Sequence, residues 1–128
     1  MSSRPALFAV VAFVICSCAI VFATSNGGWM RDVSPGERER VNPYRDQPEA
    51  AIAGRRIFFE HCAQCHGKDA EGTRKRPPLR SARVQLEATD GDLHWLLVNG
   101  NRSQGMPSWV KLGDSQIWQV ITYVKSLH

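Results

Sequence analysis

Five consecutive residues carry the clearest chemistry in the chain, namely Cys62, Ala63, Gln64, Cys65 and His66. The pattern C-x-x-C-H is typical of covalent attachment of c-type haem. Two thiols separated by two residues can add to the two vinyl groups on one edge of a porphyrin, and the histidine that follows then lies under the iron. A neutral imidazole binds the metal through one ring nitrogen while the other donates to an acceptor that fixes the ring. The motif therefore predicts one covalently bound haem c with His66 as an iron ligand.

Three other uses of the two cysteines are less compatible with the sequence. A redox dithiol of the thioredoxin kind is expected in a βαβ unit, and no alternating or β-branched strand pattern flanks the motif. A zinc site requires a second pair of ligands at metal spacing. No cysteine follows Cys65, and His61, His94 and His128 do not form such a pair. A disulfide across two intervening residues would be strained and would close a negligible loop.

A second iron ligand is indicated by Met106. A histidine opposed by a thioether is one of the standard haem ligations. Met106 is the only methionine outside the N-terminal region, and it lies between Gly105, which permits close approach, and Pro107, which fixes the turn. A lone methionine between glycine and proline does not belong to a helical core stripe. We therefore predict that its sulfur is the second axial ligand.

The motif is expected to follow a helix that begins near Pro48, because proline is permitted in a first turn and Glu49 lies at the positive end of the helix dipole. The apolar face of this helix is supplied by Ala51, Ile52, Ile57, Phe58 and Phe59. Gly54 stands one turn before Phe58, and a mid-helix glycine costs about 1 kcal/mol relative to alanine. We therefore predict that another helix crosses close to Gly54.

Two further helices are predicted on the C-terminal side. The first spans residues 89–99 and starts with a pair that resembles a capping box, Thr89 and Asp92. The second begins at Gly113-Asp114, and Asp114 is its candidate cap. Apolar residues repeat at helical spacing in both helices, with Leu93, Leu96 and Leu97 in the first and Ile117, Val120, Ile121 and Val124 in the second. His94 falls beside the apolar stripe and is predicted to be a surface or capping histidine rather than a ligand.

From Pro48 to the C-terminus, the order and spacing of these motifs resemble class I c-type cytochromes. The similarity is greatest to the small single-haem domains of bacterial oxidase (cbb3-type) and dehydrogenase complexes. It implies an all-α fold with three to four helices around one covalently bound haem. It also implies that Gly54 and Phe58 meet Tyr123 on the last helix.

The resemblance implies two further pocket residues. The tripeptide Pro77-Pro78-Leu79 matches the Pro-x-Leu turn of the family, so Pro77 is the candidate whose carbonyl accepts the N–H of the proximal imidazole. The tripeptide Gly105-Met106-Pro107 is similar to the methionine-ligand loop of the family, which places Trp109 over a haem edge.

The chain has 128 residues and a formal charge of +4, a size that favours one domain, assigned to residues 48–128. Residues 1–25 are predicted to be an export signal or a membrane anchor, because Arg4 precedes an apolar run over 6–23. Residues 26–47 are rich in Gly, Pro, Ser and charge, which predicts a flexible linker.

An iron with both axial positions filled by protein cannot easily bind a substrate, which favours one-electron transfer and no enzymatic activity. A loop crowded with cations predicts redox protein partners with an acidic docking surface; its cations are Arg74, Lys75, Arg76, Arg80 and Arg83. No nucleic acid and no small-molecule substrate are expected. The protein is predicted to be periplasmic, either soluble after signal cleavage or anchored to the inner membrane through residues 6–23.

The sequence is also compatible with other functions. A haem peroxidase or a gas sensor would require an open sixth position, and either becomes the interpretation if Met106 is not a ligand. A fixed electron-transfer subunit of a larger redox complex is also compatible with a tethered haem domain.

Overall fold

The computed structural model describes residues 25–128, so the predicted export signal or anchor lies outside the described residues except for Ser25. Within this range the secondary structure is helical, with isolated bridges and no extended β-strand, which confirms the all-α prediction. The α-helices are α1 (Pro35–Arg38), α2 (Pro48–His61), α3 (Ala63–His66), α4 (Asp90–Asn99) and α5 (Asp114–Lys125). Short 3₁₀ helices span Ser25–Asp32, Arg102–Gln104 and Val110–Leu112, and a π-helical turn spans Arg83–Glu87. None of the helices in this range is both long and apolar enough to cross a membrane.

The two longest helices, α2 and α5, cross at close range at Gly54. A Cβ at this position would overlap the carbonyl oxygen of Gln119 and would lie 3.0 Å from the Cβ of Tyr123. The ring of Phe58 is 0% exposed, and its centre lies 5.3 Å from the centre of the Tyr123 ring. The predicted close crossing at Gly54 is therefore confirmed, as is the meeting of Gly54 and Phe58 with Tyr123.

Gly54→Ala is expected to lower the free energy of unfolding by about 2–3 kcal/mol, because the added carbon has to push the backbone of α5 away. Chemical denaturation of the purified protein measures this change. Gly36→Ala is the matched control, since a Cβ at Gly36 would meet nothing within 4 Å. Equal destabilisation by the two substitutions would contradict the close crossing.

The N-terminus of α4 has the predicted capping box. The Asp92 backbone N–H donates to Thr89 Oγ1 at 3.0 Å, and the Thr89 backbone N–H donates to the Asp92 carboxylate at 2.8 Å. Both bonds satisfy backbone donors that the first turn leaves without helical partners. The local pattern of Thr89 and Asp92 was therefore sufficient to locate this helix start.

Two predictions are wrong where His94 of α4 meets the start of α5. The Asp114 side chain does not cap the helix; its carboxylate accepts from the Trp118 indole N–H at 2.9 Å and lies 2.6 Å from His94 Nε2. His94 is not a surface residue, because only 3% of it is exposed and its ring stacks on Trp118 at 4.1 Å between centres. The contacts with α5 that bury His94 come from residues distant in sequence.

Residues 28–47, here called the strap, lie along the domain instead of forming the predicted flexible linker. Val33 and Asn42 are buried. The Asn42 amide donates to the Trp118 carbonyl at 3.2 Å and to Thr122 Oγ1 at 3.0 Å. The structure corrects the linker prediction because polar contacts to distant helices hold the segment, and such contacts leave no apolar periodicity in the local sequence.

Candidate haem-binding site

A cavity of about 360 Å³ opens between α2, α4 and α5. Its apolar wall includes Phe58 of α2, Leu93 and Leu97 of α4, and Val120 and Val124 of α5. All six site residues predicted from the sequence line this same cavity, namely Cys62, Cys65, His66, Pro77, Met106 and Trp109. Two thiols, an imidazole and a thioether within apolar walls form a donor set that fits haem c.

The imidazole of His66 is held in one orientation by the loop that follows α3. His66 Nδ1 lies 3.1 Å from the Pro77 carbonyl oxygen. A carbonyl can only accept, so Nδ1 carries the hydrogen and Nε2 is the nitrogen available to a metal. Burial lowers the pKa of His66, the hydrogen bond to Pro77 opposes this, and the positive charge of Arg76 adds to the lowering. The imidazole is thereby favoured in the neutral form that a metal requires.

The two thiols occupy different environments at the junction of α2 and α3. Cys62 is buried and Cys65 is exposed. Burial, with a smaller contribution from Cys65, raises the pKa of Cys62 to about 11. Reactive redox dithiols have a lowered thiol pKa. The raised value at Cys62 therefore argues further against a thioredoxin-like dithiol.

The loop that carries Met106 is fixed against the end of α4. Asn101 and Met106 exchange two backbone hydrogen bonds, each 2.9 Å long. Gly100 has a φ of +75°, and a Cβ there would lie 2.8 Å from the Met106 carbonyl oxygen. The Trp109 backbone N–H donates to the Leu97 carbonyl at 2.7 Å. These contacts with the end of α4 and within the loop place the methionine loop at the cavity.

Arg76 and Trp29 are among the cavity-lining residues that were not predicted as pocket residues. Arg76 precedes Pro77, and its Nη1 donates to the Gln104 carbonyl at 2.5 Å. This bond joins the loop that follows α3 to the methionine loop. Trp29 lies in the strap, far from every haem motif in sequence. The position of Arg76 next to Pro77 could have indicated that it lies at the cavity. The sequence around Trp29 contains no such indication.

Comparisons with known proteins agree with this geometry. A family model described as cytochrome C oxidase, cbb3-type, subunit III matches residues 49–124. The cbb3-type cytochrome c oxidase subunit FixPc of Rhizobium leguminosarum bv. viciae is 35% identical over 83 residues, which are 62% of this chain and 29% of that protein. Subunit CcoP of Rhodobacter capsulatus is 35% identical over 86 residues, 60% of this chain and 29% of that protein. The chain thus spans less than a third of the length of these relatives.

A solved structure of a cytochrome has a similar fold. Cytochrome CL from the marine methylotrophic bacterium Methylophaga aminisulfidivorans MPT is similar with a TM-score of 0.57 and 29% identity, over 66% of this chain and 59% of that one.

The arrangement of α2, α4 and α5 around a cavity lined by a C-x-x-C-H motif defines a class I c-type cytochrome domain. Because the family match extends over more than half of the residues, the chain belongs to the family described as cytochrome C oxidase, cbb3-type, subunit III. Membership in a cytochrome c family implies haem c as the cofactor.

Proposed function

We propose that this chain is a one-electron carrier with a single covalently attached haem c, passing electrons between extracytoplasmic respiratory or dehydrogenase partners. The observation that carries the proposal is the convergence of the His66 imidazole and the Met106 loop on the apolar cavity that also holds the two thiols. Relatives that share the matched region are cytochrome c oxidase subunits by name, which supports an electron-transfer role.

In this proposal each residue has a separate task. Haem c, when bound, supplies an iron that accepts and releases one electron. Cys62 and Cys65 would hold the cofactor covalently, and His66 would bind the iron through Nε2. The Pro77 carbonyl, which accepts from Nδ1, keeps that ring from rotating. Met106, which lines the same cavity, would supply a second protein ligand to the iron and would keep substrates from binding it. The protein is accordingly proposed to transfer electrons without catalysing a reaction of its own.

The experiment that tests this function uses the exported wild-type protein. Mass spectrometry is expected to show one haem per chain, and a redox titration is expected to follow a single one-electron curve. The reduced protein is expected not to bind carbon monoxide, because the methionine sulfur occupies the sixth position. Rapid binding of carbon monoxide, or turnover of hydrogen peroxide, would favour a gas sensor or a peroxidase instead.

A second candidate function is a fixed electron-transfer subunit of a larger redox complex. It is favoured by the relatives, which are named as subunits of cbb3-type oxidases. Gentle detergent extraction of membranes distinguishes the two functions: a fixed subunit co-purifies with oxidase subunits in constant ratio, whereas a mobile carrier elutes alone. In both cases we propose a periplasmic haem domain, either soluble after signal cleavage or anchored to the inner membrane through residues 6–23.

The proposed docking surface includes fewer cations than the five predicted from the sequence of the loop. Arg76 donates to the Gln104 carbonyl and Arg80 to the Asp69 carbonyl, so both have structural contacts. Arg74 and Lys75 are exposed and belong to none of the ion pairs found in residues 25–128. We propose that these two cations, of which Lys75 lines the cavity, receive an acidic partner.

Arg74→Gln with Lys75→Gln is expected to slow oxidation by an anionic iron complex about threefold to tenfold at low salt, because charge-steered association loses two cations. The difference from wild type is expected to shrink as salt approaches about 0.1 M, where the Debye length is about 10 Å. Stopped-flow spectroscopy measures both rates. Arg55→Gln with Arg56→Gln removes the same charge from α2 and serves as the control; an equal slowing in that variant would rule out the loop as the steering surface.

A further inference from the structure

The strap adds a wall to the haem cavity that the family match does not include. The match begins at residue 49, yet Trp29 lines the cavity together with Leu93 and Ile121. Trp29 also packs against the buried cluster that α4 and α5 share. One side of the cofactor pocket is therefore supplied by a segment that precedes the recognised cytochrome domain.

Two ion pairs to buried carboxylates fix the strap in place. Arg38 Nε lies 3.1 Å from Asp92 Oδ1, and Arg45 Nη2 lies 2.9 Å from Asp90 Oδ2. Asp92 is 0% exposed and Asp90 6% exposed. Pairs with a buried partner are screened by salt much less than surface pairs. The strap is thus held at the N-terminus of α4 by contacts that persist at ordinary ionic strength.

The backbone of the strap also packs directly against the first turn of α4. Thr89 Oγ1 donates to the Arg38 carbonyl at 2.9 Å. A Cβ at Gly91 would overlap the Glu37 carbonyl oxygen and lie 2.7 Å from the Arg38 carbonyl oxygen. Any side chain at residue 91 would therefore have to displace the strap.

We propose that the strap is a wall of the haem pocket, in which Trp29 keeps water away from the cofactor and so raises its reduction potential. The inference rests on the proposed function, because it requires haem in the cavity. The sign follows from charge: the oxidised iron carries one more positive charge than the reduced iron, and a water-poor surrounding disfavours the more highly charged form. Admitting water past residue 29 must lower the potential.

The first test is Trp29→Ala in the full-length, haem-loaded protein. We expect the ratio of reduced to oxidised protein at a fixed applied potential to fall about tenfold, equivalent to about 59 mV for a one-electron couple. Trp29→Phe is expected to recover more than half of this shift, since a phenyl ring still fills the wall. Trp95→Ala is the matched control, because Trp95 is half-buried on α4 and is not among the residues lining the cavity.

The second test displaces the strap without changing charge or cavity residues. Gly91→Ala is expected to lower the potential in the same direction as Trp29→Ala. The double variant is expected to shift no further than the larger single shift, because both substitutions act through one wall. Gly36→Ala, whose Cβ meets nothing within 4 Å, adds the same methyl group within the strap and is expected to leave the potential unchanged.

The outcomes separate this inference from the proposed function. A wild-type protein without covalent haem defeats the proposed function, and mass spectrometry shows this before any potential is measured. If haem is attached but Trp29→Ala and Trp95→Ala have the same potential, the pocket-wall role of Trp29 is overturned. If Trp29→Ala lowers the potential and Gly91→Ala does not, or if their shifts add in full, the positioning role of the strap is overturned.

Discussion

Exported protein that carries Cys62→Ala and Cys65→Ala together is expected to contain no covalently bound haem. Thioether bonds to the two sulfurs are the covalent links that the C-x-x-C-H motif provides. Both thiols border the cavity in the structure, next to His66. Haem staining after denaturing electrophoresis, with the intact mass of the chain, measures the loss. Each single substitution is expected to leave one thioether bond, so the mass increment of haem should persist at reduced yield.

The chain contains a matched control for this experiment. Cys16 and Cys18 form the other pair of cysteines, within the predicted export segment. Cys16→Ala with Cys18→Ala removes the same number of thiols and is expected to leave the haem content of the exported protein unchanged. Haem that remains on the chain after Cys62 and Cys65 are both replaced, and survives denaturation, would show that the attachment site was assigned incorrectly.

Loss of haem is also expected to reduce the stability of the domain. The cavity between α2, α4 and α5 has a mostly apolar wall, and without a cofactor this surface is open to water. Burial of apolar surface contributes roughly 25 cal/mol per Å². A small domain has few other apolar contacts to compensate. The haem-free double variant should therefore unfold at lower temperature, or remain unfolded after export.

The features that the sequence could predict are those determined by short spacing. The start of α4 follows from Thr89 and Asp92, which satisfy each other's backbone donors three residues apart. Gly54 predicts a close helix crossing because a glycine within a helix lowers the stability of that helix. Close packing of a second helix against the glycine compensates for this loss. Residues of the C-x-x-C-H motif and of the Met106 loop lie together at one cavity. In each case a few neighbouring residues contain the whole signal.

The features that the sequence could not predict depend on partners far along the chain. His94 is buried because Arg40 and Asp114 meet its two ring nitrogens, at 2.9 Å and 2.6 Å. The strap is held by Arg38 and Arg45, whose acidic partners lie on α4. A charged segment without apolar periodicity has the composition of a solvated linker, and only the position of distant carboxylates distinguishes the two.

Met106→Ala is expected to have the largest effect on the properties of the bound iron. A methionine–iron bond gives oxidised c-type cytochromes a weak sulfur-to-iron charge-transfer band in the far red, and the substitution should abolish it. The reduced variant should bind carbon monoxide, because the sixth position is open. Its potential should fall by about 100–300 mV, within the roughly 0.8 V over which axial ligands set haem potentials. The direction follows because a soft thioether favours the reduced iron.

Two further variants test whether these effects come from the ligand itself. Met106→His should also abolish the band and lower the potential, but the iron should remain six-coordinate and closed to carbon monoxide. Met30→Ala is the matched control, because Met30 packs against the α4–α5 cluster and is not among the cavity-lining residues. It should keep the band and exclude carbon monoxide. If wild-type protein lacks the band and binds carbon monoxide as readily as Met106→Ala, Met106 is not a ligand, and the open iron position then favours a gas sensor or a peroxidase over an electron carrier.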